Sequence, residues 1–460
     1  MSLLALRNKL LGRCGVVIAT VVLWAPIAGS AAPPKLAPND VTWLWPAPNS
    51  TSELDKVISI DSLKSGDGTP VWSDQQFNDV LTAADSDAAR VGSSRIKLPQ
   101  AVRTKAVWRI AAFRVDPTAP GAHEIVRQTF GEKPQLRLIV QPVTVNGNRI
   151  EVHDIAVHLV YSFVTQGADG TEAPDREAFR EIIKDLDAMK AHVQDAGVLT
   201  SGVPLGIHPG LKAEVASLGD KVEAFLSEHL HPEKLNAMAL MGLDTPEPWI
   251  FLALSKFPQG AEHFGPVPFL PAQMLSFRVS GGGVIPSPTV NNMNPVPNRI
   301  PMPKEEKDRR GVATAALFGE EVPELDALAV VGRDENGADV LDDKLKNGDI
   351  PDLIADPTRA HFFNTDCLSC HTETRRRIRL GLAPGAFAFR QDGQPPSINP
   401  EVMPQDDWNV RNLGWFTPSP FIGGGPAVPT ITQRTANETA EVVEFIARQY
   451  RHDPAPAPSP

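Results

Sequence analysis

The stretch that most constrains the fold is QLRLIVQPVTVNGNRIEVHDIAVHLVYSFV, residues 135–164. QLRLIVQPV (135–143) is strand-like, Asn146-Gly147 is a strong hairpin signal, and RIEVHDIAVHLVYSFV (149–164) follows it. Ile155, Val157, Leu159, Tyr161 and Phe163 alternate along that second run, so one face of the strand is buried. A fold of this chain therefore contains antiparallel pairing with a covered face. His153 and His158 fall on opposite faces of the run, which argues against their acting as joint ligands.

The flanking segments extend this into an α+β arrangement. VWRIAAFRV (107–115) is a further strand, and a helix over about 123–130, stopped by Gly131, separates it from 135–143. From Asp175 the period changes. Phe179, Ile182, Ile183, Leu186, Met189 and Val193 form a helical stripe ended by Gly197. Leu211, Val215, Leu218, Val222, Phe225 and Leu226 form a second, and Leu235, Met238 and Met241 a short third. PWIFLALS (248–255) and MLSFRV (274–279) return to strand. NDVTWLWPAPNS (39–50) reads as an extended arm whose Trp43 and Trp45 pack on a domain surface. A proline-rich stretch over 284–306 reads as a linker.

The N-terminus reads as an export signal. Arg7, Lys9 and Arg13 precede the apolar run GVVIATVVLWAPIAG (15–29) and the small residues AGSAA (28–32). Cleavage near Ser30 or Ala31 is expected, which makes the mature chain periplasmic. An uncleaved anchor is the alternative, although the run is short for a bilayer span. Removing the signal takes the net charge from −11 to −14. So acidic a chain does not attract nucleic acid or anionic lipid, and membrane contact is expected only by transient docking or an uncleaved signal. A nucleophile elbow, a phosphate loop, an HExxH pair and a dinucleotide fingerprint are all missing from the sequence, so no catalytic residue is assigned.

Cleavage also removes Cys14 and leaves Cys367 and Cys370, both within NTDCLSCH (364–371). A CxxC pair closes almost no loop, so a stapling disulfide explains it poorly. A structural zinc site needs four ligands, and this stretch offers three with His371. A thioredoxin-like pair needs a strand before the motif, whereas Asp356-Pro357 in the lead-in looks like a helix start. Covalent haem attachment is the third reading: two thiols add to the vinyl groups and the adjacent imidazole binds iron. The segment 435–450, TANETAEVVEFIARQY, reads as an amphipathic helix, with Thr435 and Glu438 as its capping box.

On CLSCH the chain resembles a mono-haem c-type cytochrome. The resemblance implies a mainly α, cytochrome c-like haem domain following the α+β N-terminal region; the long Pro/Gly-rich loops, over 382–421, depart from that pattern and are expected from the sequence itself. It implies one haem c per chain, with Cys367 and Cys370 as thioether positions and His371 as the proximal iron ligand. It leads one to expect a downstream methionine as sixth ligand, and Met403 follows the motif in PEVMPQDDW (400–408). His361 is the competing ligand, and an open position is the third possibility. Trp408, Trp415 and Phe416 would wall the pocket or serve as ordinary core. Arg375, Arg376, Arg377 and Arg379 would meet haem propionates, steer an anionic redox partner, or lie on a solvated helix face.

The expected organisation is a signal peptide (1–31), an extended arm (32–104), an α+β module (105–170), a mainly helical region with flanking strands (171–283), the linker (284–306) and a haem domain (307–460). The expected function is single-electron transfer, with the N-terminal region docking a redox partner protein. A haem enzyme with an open or labile sixth position, peroxidase-like or another oxidoreductase, is one alternative. A haem-based sensor or scaffold is the other.

Overall fold

The structure is a computed structural model. It describes residues 35–267 except 92–93, 119–131, 169, 244–248 and 257–260. Beyond these it describes 273–275, 277–280, 283–286, 332–333, 339–340, 354–357, 370–371, 373–374, 377–378, 397–404, 409, 411–417 and 425–451. The helix expected over 123–130 and the export signal lie outside the described residues.

Nine strands form an antiparallel sheet. Its path runs β1 (Thr42–Leu44), β2 (Trp108–Asp116), β3 (Gln135–Asn146), β5 (Ile155–Ser162), β6 (Leu235–Leu243), β7 (Trp249–Ser255) and β8 (Gly265–Pro266). β4 (Arg149–Val152) pairs with β3, and β9 (Gln273–Leu275) with β7. The Asn146-Gly147 hairpin forms as its chemistry dictates: Asn146 faces Arg149, and Gly147 takes a φ of +60°. The run expected as one strand over 149–164 is broken at His153-Asp154. Pro142 lies opposite the break and has no N–H to give the ladder; its carbonyl instead accepts from the His153 amide at 3.0 Å.

The pairing register sorts side chains onto two faces. One row places Trp43, Phe113, Leu138, Leu159, Met238 and Leu254 side by side. This apolar face is covered by helices. α3 (Arg176–Asp195) buries the whole expected stripe, its first turn capped by Asp175, which accepts from the Ala178 amide. α4 (Leu218–His229) brings Phe225 to 5.7 Å from Phe113. The second stripe was expected to run from Leu211, but Leu211 belongs to a separate turn, Pro209–Lys212. Ser217, at a φ of +59°, breaks the helical path before α4.

Three other expectations are corrected. The short helical stripe over 235–241 is the strand β6, with Leu235, Met238 and Leu240 buried among neighbouring strands. LNAMALMGL is apolar at nearly every position, so its periodicity does not separate strand from helix. Residues 32–104 are not an extended arm over the described stretch: they contain α1 (Pro38–Val41), β1 and α2 (Asp74–Asp85). Trp43 and Trp45 are core residues, 1% and 2% exposed, rather than surface anchors. Residues 284–286, assigned to the linker, belong to the strand Gly283–Pro286, which pairs with Phe277–Ser280.

Trp43 also stacks flat on His208, with ring centroids 3.5 Å apart. Burial pushes His208 down to about 3 from the ordinary 6.5. The folded chain therefore holds fewer protons than the unfolded chain below that ordinary value, and stability falls as pH drops from about 6.5 towards 3. At pH 5 the loss from this one group is about 2 kcal/mol.

The opposite face is covered by chain from the C-terminal region. β10 (Leu413–Phe416) and β11 (Val428–Ile431) form a hairpin. The carboxamide of Gln141, a fully buried β3 residue, serves this hairpin as a strand edge would. Its Nε2 donates to the Trp415 carbonyl at 2.8 Å, and its Oε1 accepts from the Trp415 amide at 2.7 Å. The approach is so close that a Cβ on Gly414, whose φ is +129°, would sit 2.7 Å from Gln141 Oε1. Trp415 Nε1 donates to the Trp45 carbonyl, Thr417 donates to the Val152 carbonyl, and Arg411 pairs with Asp154.

α5 (Gln433–Gln449) follows the hairpin. Its cap is Thr432, which accepts from the Thr435 amide, rather than Thr435 itself. Thr435 and Glu438 instead lie within the helix, where Glu438 meets arginines. Trp415, Ile431, Phe445 and Ile446 belong to the same hydrophobic cluster as the sheet.

Two stability measurements follow from this packing. Gln141→Leu strands both polar groups of Trp415, and urea unfolding is expected to show a loss of about 2–4 kcal/mol. His208→Asn should lower stability at pH 7 but shrink the further loss between pH 7 and 5 by about 2 kcal/mol. An unchanged pH dependence would count against a buried neutral His208.

Candidate functional site

His371 lies in a helical segment whose described residues are 370–371, 373–374 and 377–378. Cys370 and His371 are thus adjacent on one turn, partly buried. The segment is fixed from behind by α5. The Gln433 amide donates to Thr374 Oγ1 at 2.8 Å, and Thr374 Oγ1 donates to Glu373 Oε2 at 2.7 Å. Glu373 is fully buried, and burial pushes its carboxyl up to about 8. Arg377 pairs with Glu373 at 3.3 Å, one helical turn on, and is buried, so it does not sit on a solvated helix face. Arg434 donates to the carbonyls of Ile354 and Asp356, and Asn437 to that of Ala355. Helical backbone is present at Ile354 and Ala355 and has ended by Asp356.

His371 lines a cavity of about 180 Å³ between this segment and the second face of the sheet. The sheet contributes Arg114, Arg137, Ile139, His158, Met241 and Phe251. The covering chain adds Arg411, Asn412, Leu413, Thr435 and Glu438. The register explains the floor. The row through His158 reads Leu44, Ala112, Ile139, His158, Ala239, Ala253. The next row pairs Thr42 with Arg114, Arg114 with Arg137, and Arg137 with Val160.

The charges in the walls are paired. Arg114 meets Asp116 at 2.8 Å and Glu438 at 3.0 Å; Arg137 reaches Asp116 at 3.7 Å. Arg434 meets Glu438 from within α5 at 2.8 Å. Burial would raise the Glu438 carboxyl, but the guanidinium groups of Arg434 and Arg114 outweigh it and hold the group below its ordinary value. Burial, and then the neighbouring Arg137, Arg411 and His371, hold His158 well below the usual imidazole range. It is neutral at pH 7, and its Nε2 is sealed from solvent with no hydrogen-bond partner.

The expected site residues are distributed as follows. Cys370 and His371 are adjacent on the turn, and His371 reaches the cavity. Cys367, His361, Trp408, Arg375, Arg376 and Arg379 lie outside the described residues. Met403 caps the turn Pro400–Val402, is 3% exposed within the hydrophobic cluster, and is not among the residues lining the cavity. Trp415 and Phe416 are buried in β10 and do not line it either. Sequence reasoning missed His158, Arg114, Arg137, Arg411 and Glu438. His153 stays apart, bonded to Thr144 at 2.9 Å.

Among the described residues, no group of three or more His, Cys, Asp or Glu could hold a bare metal ion. A haem iron needs fewer protein donors, because the porphyrin supplies four nitrogens and one or two imidazoles complete the shell. The donor set here fits that group: an imidazole on a Cys-His turn, a second imidazole with an orphaned nitrogen, and guanidinium groups of the kind that hold carboxylates. The enclosed volume, about 180 Å³, is below the roughly 300–1,000 Å³ usual for ligand pockets, so a haem would extend beyond the described walls. Comparison with family models, with curated proteins and with solved structures found no match.

Glu438 is the carboxylate shared by two arginines at this wall. Glu438→Ala is expected to cost about 3 kcal/mol in chemical denaturation, and Glu438→Gln less, because the amide still accepts from a guanidinium. Equal effects of the two would show that packing, not charge, sets the cost.

Proposed function

We propose that this chain is an exported c-type cytochrome that carries one covalently bound haem and transfers single electrons. The observation behind the reading is the CLSCH stretch, with His371 directed at a cavity walled by His158 and three arginines. In this reading Cys367 and Cys370 would hold the haem through thioethers, and His371 would ligate its iron. When bound, the haem supplies a one-electron redox couple. Everything else falls to the polypeptide. α5 and Thr374 hold the Cys-His turn against the sheet. Arg114, Arg137 and Arg411 offer cationic partners to the carboxylates at the haem edge. The buried walls around them restrict water, which tunes the potential.

Export through the signal at residues 1–31 would deliver the chain to the periplasm, where thioether attachment and an acidic mature surface are compatible. No described helix is long and apolar enough to cross a membrane. The N-terminal sheet region would dock the redox partner.

The test is expression of the full chain with haem-attachment machinery, followed by denaturation and acid-acetone extraction. The expected result is colour retained by the polypeptide, with one haem per chain. Cys367→Ala and Cys370→Ala should each weaken retention, and the double variant should abolish it. A colourless, extracted wild-type chain would overturn the reading.

A further inference from the structure

We infer that His158, on the central strand β5, is the second axial ligand of the iron held by His371, in place of Met403; this rests on the haem reading above. Three observations converge on it. His158 and His371 line the same cavity, one from the sheet and one from the covering helical turn. The Nε2 of His158 is buried without any hydrogen-bond partner, and a buried polar atom left unpaired costs free energy unless something binds it. The strand register places Ile139 on one side of His158 and Ala239 on the other, so one flank of the imidazole carries only a methyl group.

Met403 satisfies none of these conditions. It is 3% exposed, packed in the hydrophobic cluster beside the turn Pro400–Val402, and outside the cavity walls. The inference also unites the two parts of the chain around one group. The turn near residue 370 would supply the covalent attachment and one imidazole. The sheet would supply the other, fixed by strands on both sides. A ligand on a central strand cannot swing away as one on a loop can, so the iron would keep both imidazoles in both oxidation states. The potential should lie below that of a site with one histidine and one methionine, because thioether ligation raises it.

The experiment uses the full chain carrying covalent haem, compared as wild type, His158→Gly, His158→Gln and Met403→Leu. Absorption and electron paramagnetic resonance spectra report the spin state, and carbon monoxide is added to the reduced forms. The expected result is a low-spin wild type that does not bind carbon monoxide. His158→Gly and His158→Gln should keep their covalent haem, become high-spin and bind carbon monoxide. Free imidazole should restore the low-spin spectrum of His158→Gly, a rescue that a merely misfolded variant would not show. Met403→Leu, which keeps the core volume, should match wild type.

A low-spin His158→Gly without imidazole would overturn the assignment. So would a Met403→Leu variant that alone becomes high-spin, or a wild type that binds carbon monoxide, since each leaves haem attachment intact but assigns the position elsewhere or leaves it open. A wild type without covalent haem would overturn this inference together with the reading on which it rests.

Discussion

The side chain of Gln141 lies beneath the rest of the site. A fully buried carboxamide gives both its donor and its acceptor to the backbone of Trp415, so the terminal hairpin is held to the sheet by a pair of bonds like those between two strands. Each of those groups would cost about 1–3 kcal/mol if left unpaired in a dry interface. Gly414 is the complement of this contact, because a Cβ there would sit 2.7 Å from the carboxamide oxygen. Arg411 to Asp154 and Trp415 to Trp45 repeat the attachment on either side. Once the hairpin is seated, α5 follows, and α5 in turn anchors Thr374 and the Cys-His turn. The position of His371 is thus the last step of a chain of contacts that begins in the middle of β3.

The sheet uses its two faces differently. The helix-covered face is built from Trp43, Phe113, Leu138 and Leu159, whose burial contributes roughly 1.5–3 kcal/mol for each large apolar side chain. The other face holds arginines and a neutral histidine in positions that would otherwise be apolar. Buried charge is expensive, and each guanidinium there has a carboxylate: Asp116 and Glu438 for Arg114, Asp116 for Arg137, Asp154 for Arg411. Simple packing would be served as well by leucines.

Much of the sheet was legible because local chemistry and global fold agree there. The alternation through Ile155, Val157, Leu159 and Tyr161, the Asn146-Gly147 turn and the stripe of α3 each follow from spacing alone. β6 was missed because Leu235–Leu243 is apolar on both faces, and such a run fits a helix equally well. The core position of Trp43 is not visible in the sequence, because its stacking partners, Phe113 and His208, are distant along the chain. The cavity was illegible for the same reason. Arg114 with Glu438, and His158 with His371, are joined only by tertiary packing. One signal was present: charged or polar residues interrupt otherwise apolar strands at Arg114, Arg137 and His158, and the register lines them up on one face.

The second face of the sheet is closed by the C-terminal region, leaving a cavity lined by Arg114, Arg137 and Arg411 that His371 shares with the strand residue His158. The central claim is a covalent bond between the Cys-His turn and a tetrapyrrole. Mass spectrometry of the tryptic peptide 360–375, which contains both cysteines, tests this most directly. The account predicts a peptide heavier by one haem, linked through Cys367 and Cys370. The same peptide at its unmodified mass, from a host that attaches haem to other proteins, would contradict it.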